Sequence, residues 1–198
     1  MLKLKLFLIA FLVISFSQNA FADDIKLPPP DKKGDVTLMD ALQKRRSSRS
    51  FADRAVDDQT LSNILWAAYG VTGDEGKRTI PTAKNEKDLD VYVVRHDGIW
   101  LYDAENNYLR QKSSYDWMDL FQLQGYMKNV PVVLVYVGVG DYAATHAGAA
   151  YQNVGLYAAA NDMASIVRGS YNREKMPKVL GLTDGQRVIV SQAIGWKD

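Results

Sequence analysis

The chain has 198 residues, with 24 Lys and Arg against 23 Asp and Glu, two histidines and no cysteine. A net charge of +1 gives no electrostatic reason to expect nucleic acid or an anionic membrane as a partner. Without cysteine the chain has no disulfide, thiolate metal site or cysteine nucleophile, and two histidines argue against a multi-histidine metal site. The length suits one domain with a sizeable core.

The N-terminus, residues 1–22, has the layout of a secretory signal peptide. Lys3 and Lys5 precede an apolar stretch over residues 6–16, which leads to the small-residue site Ala20-Phe21-Ala22. The alternative, a membrane anchor, is disfavoured because a helix needs about 20 apolar residues to span a bilayer. We therefore expect cleavage after Ala22 and a periplasmic or secreted protein without a membrane anchor.

Residues 23–34 contain Pro28-Pro29-Pro30 and several charges, a composition typical of an extended arm rather than packed structure. The domain is predicted over residues 35–198. Its first helix is predicted to begin at Thr37, because Thr37 and Asp40 have the spacing of a capping box. This helix is expected to run into the basic residues that follow Lys44.

The next elements mix helices and strands. Leu61, Ile64, Leu65 and Ala68 predict a second helix that ends at Gly70. Residues 89–95 and 99–102 flank Asp97-Gly98, which predicts a β-hairpin. The apolar run over residues 131–139 predicts a strand that is buried on both faces.

An alanine-rich helix is predicted over residues 146–163, touching several neighbours or a second subunit, although burial within a monomer also explains its alanines. His146 is interpreted as a polar first-turn residue rather than a base. A strand over 165–168, a short helix over 174–180 and a strand over 187–194 complete the chain. Strands and helices that mix without regular alternation indicate an α+β domain.

A basic cluster follows the first helix. Arg45, Arg46 and Arg49, with Ser47 and Ser48 between them, offer guanidinium groups and hydroxyls that match the oxygens of a phosphate. Cations at a helix C-terminus are also stabilised by the helix dipole, and charge runs are commonly solvated. A phosphorylated ligand and a solvated surface therefore both remain open on composition alone.

Four segments together resemble the FMN-dependent nitroreductase family, and most closely its compact subgroup that is similar to the thiazole and oxazole peptide dehydrogenases. In chain order they are Arg45-Arg46-Ser47-Ser48-Arg49-Ser50-Phe51, Pro81-Thr82-Ala83-Lys84-Asn85, Gln152-Asn153 and Ser165-Ile166-Val167-Arg168-Gly169-Ser170-Tyr171. The resemblance covers residues 35–198. It implies a nitroreductase-like fold, with a mixed central sheet flanked by helices, and a homodimer with FMN at the subunit interface.

The resemblance also implies roles for single residues. Arg45, Ser47 and Arg49 are expected to hold the flavin phosphate and ribityl chain, and Asn85 is expected to bond the flavin ring. The backbone at Arg168 and Gly169 is expected to face the flavin N5 atom. The further residues expected at the FMN site are Arg46, Gln152, Ser165 and Lys197.

The activity that the resemblance implies is a flavin-dependent reduction or oxidation of a quinone, nitroaromatic or enone by ping-pong electron transfer between a small donor and acceptor. The flavin carries such a reaction, so no protein nucleophile or acid is needed. Two departures favour the alternative of an exported domain that binds flavin or another anion without turnover. Residues 84–88 are polar and charged where the subgroup has Gly-Ala-Leu-Tyr-Pro, and the late basic phosphate ligands usual in the family are reduced to Lys197.

Overall fold

A seven-stranded sheet forms the centre of the domain. The computed structural model describes residues 24–73 and 75–198, so the predicted signal peptide lies outside the described residues. The strands are Ile25–Lys26 (β1), Val71–Thr72 (β2), Lys77–Arg78 (β3), Leu89–Arg95 (β4), Gly98–Asp103 (β5), Tyr108–Ser113 (β6), Val132–Gly138 (β7), Met163–Arg168 (β8) and Arg187–Trp196 (β9). The sheet order is β1-β6-β5-β4-β7-β9-β8, and β2 pairs with β3 in a separate hairpin.

The α+β class is confirmed, but the sheet differs from the mixed sheet that the resemblance implies. Every strand pair in the part of the chain that the structure describes is antiparallel. Strands β7 and β8, which α3 (Ala143–Ala160) connects, run in the same direction. They are not neighbours, because β9 lies between them and pairs antiparallel with both.

Each of the first two helices begins after a residue whose side chain caps the helix N-terminus. Helix α1 (Leu38–Lys44) begins after Thr37, whose hydroxyl accepts from the Asp40 N–H at 3.1 Å and donates to the Asp40 carboxylate at 2.7 Å. The capping prediction is confirmed. The helix ends at Lys44, earlier than expected, because Arg45 has left the helical region (φ −56°, ψ 120°). Helix α2 (Asp58–Tyr69) ends before Gly70, as predicted.

Hydrophobic cores lie on both faces of the sheet. Helices α2 and α3 cover one face, where Leu61, Ile64 and Leu65 of α2 are fully buried. Each such side chain stabilises the fold by about 1.5 to 3 kcal/mol relative to exposure. Helix α4 (Met176–Val179) and 3-10 turns at Met118–Phe121 and Gly125–Asn129 cover the other face. Strand β7 is buried along its whole length, as its apolar run predicts.

The arm at residues 24–34 is extended, but the expectation that it is unpacked is wrong. Strand β1 pairs with β6 at the edge of the sheet, and Leu27 is 2% exposed. The Pro28 carbonyl accepts hydrogen bonds from the Ser62 hydroxyl at 2.6 Å and the Asn107 side-chain amide at 2.8 Å. A buried leucine and backbone pairing outweigh the local preference of the proline run.

Other boundaries shift by a few residues. The hairpin of β4 and β5 is confirmed, but Arg95 pairs with Gly98, so His96 and Asp97 form its loop. Gly98 has a φ of 150°, and a Cβ there would lie 2.3 Å from the Ser113 carbonyl oxygen, which explains the glycine. Helix α3 begins three residues before His146. Among the described residues, no helix combines the length and the apolarity that crossing a bilayer requires.

Candidate functional site

The basic segment after α1 lies beside the open edge of the sheet. Strand β8 is the edge strand of the sheet beyond β9. The Ser165 carbonyl on its unpaired side accepts a hydrogen bond from the Ser48 N–H at 3.0 Å. This bond places residues 45–48 between β8 and the C-terminal half of α3. Two adjoining cavities of about 280 and 190 Å³ lie there and share Arg46, Ser47, Gly155 and Ser165.

The two cavities are strongly cationic. The larger is also lined by Lys44 and Lys197, and the smaller by Arg45. Among the described residues that line either cavity there is no carboxylate. Lys197 lies 3.5 Å from the exposed Asp162 carboxylate, a distance at which screened surface charges interact weakly. The field in these cavities therefore favours an anion.

The two arginines differ in how far their side chains are engaged. The Arg46 Nη1 donates to the Gln43 carbonyl at 3.0 Å and to the Arg45 carbonyl at 2.7 Å, which satisfies backbone oxygens at the end of α1. The Arg45 stem instead lies over Gly155 of α3, where an ideal Cβ would be 3.5 Å from the Arg45 Cδ. Because this is an ordinary contact distance, the Arg45 stem packs against the small-residue surface of α3 beside the cavities.

A buried polar network orients Ser165. The Gln192 side chain donates to the Ser165 hydroxyl at 2.8 Å and to the Tyr151 carbonyl at 3.2 Å. Its carbonyl oxygen accepts from the Tyr136 hydroxyl at 2.6 Å, and burial raises the pKa of Tyr136 well above its usual value, so that this hydroxyl stays a donor. Because Ser165 accepts from Gln192, its own proton is available to a ligand in the cavities it lines.

Asn85 lies in a separate place. Residues Ala83–Asn85 form a 3-10 turn in which Lys84 (φ 53°) and Asn85 (φ 57°) are both left-handed. Asn85 lines a cavity of about 530 Å³ with Lys77, Arg78, Thr79, Ile80, Pro81 and Thr82. Both this cavity and the cationic cavities flank α3. The turn contacts His146 near the start of the helix, and Ala158 near its end lines a cationic cavity, about 18 Å away at 1.5 Å per residue.

The backbone groups of Arg168 and Gly169 point in different directions from β8, so the two residues differ in the role expected of them. In an antiparallel strand the N–H and C=O of one residue point to the same side. Since Ser165 faces the open edge, Val167 does too, whereas Arg168 faces β9 and its carbonyl accepts from the Ser191 hydroxyl at 2.9 Å. The alternation favours Gly169 over Arg168 as the residue whose amide reaches a ligand at the edge.

The Arg168 side chain does not face the cationic cavities. It is buried on the other face of the sheet, where its Nη2 donates to the Gln124 side chain at 3.0 Å. Arg49 is exposed and lines neither cationic cavity. A further cleft of about 330 Å³, which Arg54, Arg95 and Lys128 line, also contains Asp53 and Asp97 and shares no lining residue with the cationic cavities. Its mixed charges give no preference for an anion.

Comparison with known proteins identifies the family. The model of the nitroreductase family matches residues 42–196. The chain belongs to the nitroreductase family. A candidate nitroreductase of Methanocaldococcus jannaschii is 34% identical over 92 residues, and the match spans 46% of this chain and 46% of that protein. The chain thus aligns with about half the length of this curated relative.

Solved structures agree with this assignment. A candidate nitroreductase from Ralstonia eutropha JMP134 is 31% identical, with a TM-score of 0.81, over 88% of this chain and 90% of that chain. An FMN-dependent nitroreductase from Clostridium difficile R20291 is 21% identical, with a TM-score of 0.58, over 81% of this chain and 87% of that chain. The clostridial protein shares the fold.

The nitroreductase fold brings together six of the ten site residues that the sequence predicts. Arg45, Arg46, Ser47, Gln152, Ser165 and Lys197 line the two cationic cavities. Four others, Arg49, Asn85, Arg168 and Gly169, do not line them.

Sequence reasoning missed Gly155, whose role depends on the Arg45 stem, and Gln192, which orients Ser165. The available signal for Gln192 was the polar pair Ser191-Gln192 within a largely apolar strand pattern. Gly155 carried no signal of its own, because it stands among many small residues in α3.

Proposed function

We propose that this member of the nitroreductase family is an FMN-dependent oxidoreductase whose flavin phosphate binds in the two cationic cavities. The observation that carries the proposal is the charge of their lining. Lys44, Arg45, Arg46 and Lys197 supply cations, and none of the described residues in the lining supplies a carboxylate. A phosphate is the common biological ligand that such a lining favours, because charge-assisted hydrogen bonds to it are short and strong.

The donors around the cavities fit the remainder of FMN as well. Ser47 and Ser165 offer hydroxyls, and Gln152 offers an amide, that would bond the ribityl chain. The small residues Gly155 and Ala158 leave the helix surface open to close approach. When bound, FMN supplies the transfer of electrons, and the chain supplies orientation and electrostatics.

The Asn85 side chain, on the turn beside the start of α3, and the Gly169 backbone, at the open edge of β8, would hold the flavin ring. Because one site would serve both reactants, donor and acceptor would bind in turn, with ping-pong kinetics and a quinone, nitroaromatic or enone as acceptor.

We further propose that the protein is a homodimer. Helix α1 exposes three apolar side chains: Leu38 is 64%, Met39 is 72% and Leu42 is 44% exposed. Apolar residues grouped on one short helix beside the cationic cavities fit a surface that a second subunit covers. Light scattering that reports twice the mass of the chain supports this assembly, and a monomer with full FMN affinity contradicts it.

A second candidate is a domain that binds flavin, or another anion, without turnover. The charged residues 84–88 favour it. Lys87 forms a surface ion pair with Glu105 at 3.1 Å. Apolar residues at this place would suit a flat aromatic substrate better. A polar wall disfavours apolar acceptors that leave its groups unpaired.

The absorbance spectrum of the purified protein separates the proposals. A flavin spectrum that dithionite or NADPH bleaches, and that a quinone restores faster than it restores free FMN, supports the oxidoreductase. Reoxidation at the rate of free FMN indicates a binding domain. A colourless protein that FMN does not bind contradicts both flavin proposals.

Exchanging one arginine tests the phosphate site itself. Arg45→Ala removes a charge-assisted bond of about 1.5 to 3 kcal/mol, which weakens FMN binding by about tenfold to a hundredfold. Riboflavin lacks the phosphate, so its affinity should be the same for the parent and the variant. Equal FMN affinity in the two proteins contradicts the assignment of the cavities. Lys128→Ala, in the cleft away from the site, is a control that also removes one cation.

A further inference from the structure

A buried histidine and carboxylate lie behind the turn that carries Asn85. The side chains of His146 and Asp88 are 4% and 7% exposed, and the His146 Nδ1 forms a short contact with the Asp88 Oδ1. The His146 Nε2 is 2.8 Å from the backbone nitrogen of Ala83. His146 therefore joins β4, the turn and α3, because Asp88 directly precedes β4.

The two contacts define which ring nitrogen carries the proton. The Ala83 N–H can only donate, so the His146 Nε2 must be the acceptor and carry no hydrogen. The proton of the neutral ring is then on Nδ1, which donates to the Asp88 carboxylate. A carboxylate that accepts a hydrogen bond from one ring nitrogen commonly fixes the tautomer and the orientation of the imidazole ring.

The amide that His146 holds belongs to a strained turn. Ala83 is the first residue of the 3-10 turn, and Lys84 and Asn85, the next two residues, are left-handed without being glycine. Asparagine tolerates this region, but lysine rarely adopts it, and such conformations persist where surrounding contacts hold them. The carbonyl of Asp88 is also fixed, because it accepts the Val139 N–H at 3.1 Å. Asp88 thus links the turn to the sheet.

We propose that His146, oriented by Asp88, is a positioning residue that holds the turn at Ala83–Asn85 in its left-handed conformation. This part of the inference depends on no ligand. A second part rests on the proposed function: by holding the turn, His146 sets the place of Asn85 against the flavin ring. Neither histidine nor carboxylate touches the flavin in this scheme, and both act through the backbone of Ala83.

Three variants separate positioning from simple burial. His146→Leu keeps an apolar side chain in the buried space but removes the acceptor for Ala83. His146→Gln retains a carbonyl oxygen that can accept the same N–H. Asp88→Asn keeps the shape of the carboxylate but removes its charge. The controls are His96→Gln, which changes the exposed histidine beside Asp116, and Ile64→Val, which weakens the buried core of α2.

The first measurement concerns the turn without flavin. Nitrogen NMR of the parent should show an unprotonated Nε2 on His146. Hydrogen exchange over residues 81–88 should be at least about tenfold faster in His146→Leu than in the parent, with most of this protection recovered in His146→Gln. A protonated Nε2, or parent-like exchange in His146→Leu, overturns the proposal.

The second measurement is flavin affinity. Because Asn85 would bond the flavin ring, His146→Leu and Asp88→Asn should weaken FMN and riboflavin by a similar factor, about tenfold in His146→Leu. Arg45→Ala should weaken FMN alone. An equal loss in Ile64→Val would show that lower stability, not positioning, explains the effect and would overturn the second part. If the parent binds neither flavin, the proposed function fails, while exchange and NMR still decide the first part.

Discussion

Replacing Gly155 separates the needs of the fold from the needs of the proposed site. Glycine inside a helix destabilises it by about 0.8 to 1 kcal/mol relative to alanine. An ideal Cβ at this position would lie 3.5 Å from the Arg45 Cδ and 3.6 Å from its Cγ, which are ordinary contact distances. Gly155→Ala should therefore raise the melting temperature by about 2 to 4 °C. FMN affinity should change by less than about threefold, which corresponds to under 1 kcal/mol.

Gly155→Leu should have opposite effects on stability and on binding. Leucine is nearly as good a helix former as alanine, so the helix still gains stability. Its longer side chain must enter the space that Arg45 and both cationic cavities occupy. FMN affinity should fall by more than about tenfold, or 1.4 kcal/mol.

The assays are thermal unfolding without flavin and titration of the apoprotein with FMN. Gly148→Ala is the matched control, since this glycine is also in α3 and a Cβ there would lie 3.7 Å from the Tyr151 hydroxyl. It should raise the melting temperature without altering FMN affinity. Full FMN affinity in Gly155→Leu would refute the placement of the phosphate. A lower melting temperature in Gly155→Ala would refute the reasoning about space.

Three further predictions concern the fold and the chain start. Leu27→Ala removes a buried side chain and should cost about 2 to 5 kcal/mol, measured by urea unfolding; a change below 0.5 kcal/mol would show that the arm is not part of the core. Asp57→Ala removes the cap of α2 and should cost about 1 kcal/mol at pH 7. The Thr60 N–H lowers the pKa of Asp57, so its contribution should be present above about pH 4 and lost as pH falls through the lower folded pKa; an unchanged difference between parent and variant at low pH would contradict this. If the predicted signal peptide is cleaved, mass spectrometry of the protein from its native cells should find Asp23 at the N-terminus, and an intact Met1 in the cytosolic fraction would refute export.

The sequence by itself predicted the elements whose signals are local. The cap at Thr37, the spacing of Leu61 to Ala68, the apolar run that became β7 and the hairpin near Asp97 each depend on neighbours in the chain. Backbone caps and side-chain periodicity act over one or two turns, so a sequence reader can see them. The arm was misjudged for the same reason. Its proline run is a local signal, and its pairing with β6 is not.

The sequence also offered a phosphate at the basic cluster, but its composition alone favoured a solvated surface over that reading. The tertiary structure adds two cationic cavities at this cluster, where the segment after α1 meets the open edge of β8 and the glycine of α3. These contacts join three segments of the chain, and the first and last of them are more than 100 residues apart in sequence. No local pattern encodes them.

Only the tertiary structure shows that His146 and Asp88 form a buried pair behind Asn85. From sequence, His146 is a lone polar residue at the start of a helix. In the folded chain it is 3% exposed and joins Asp88 to the Ala83 amide across more than 50 positions of sequence. A histidine's role depends on the donor and acceptor that packing places at its two nitrogens, and these partners come from elements that only folding brings together.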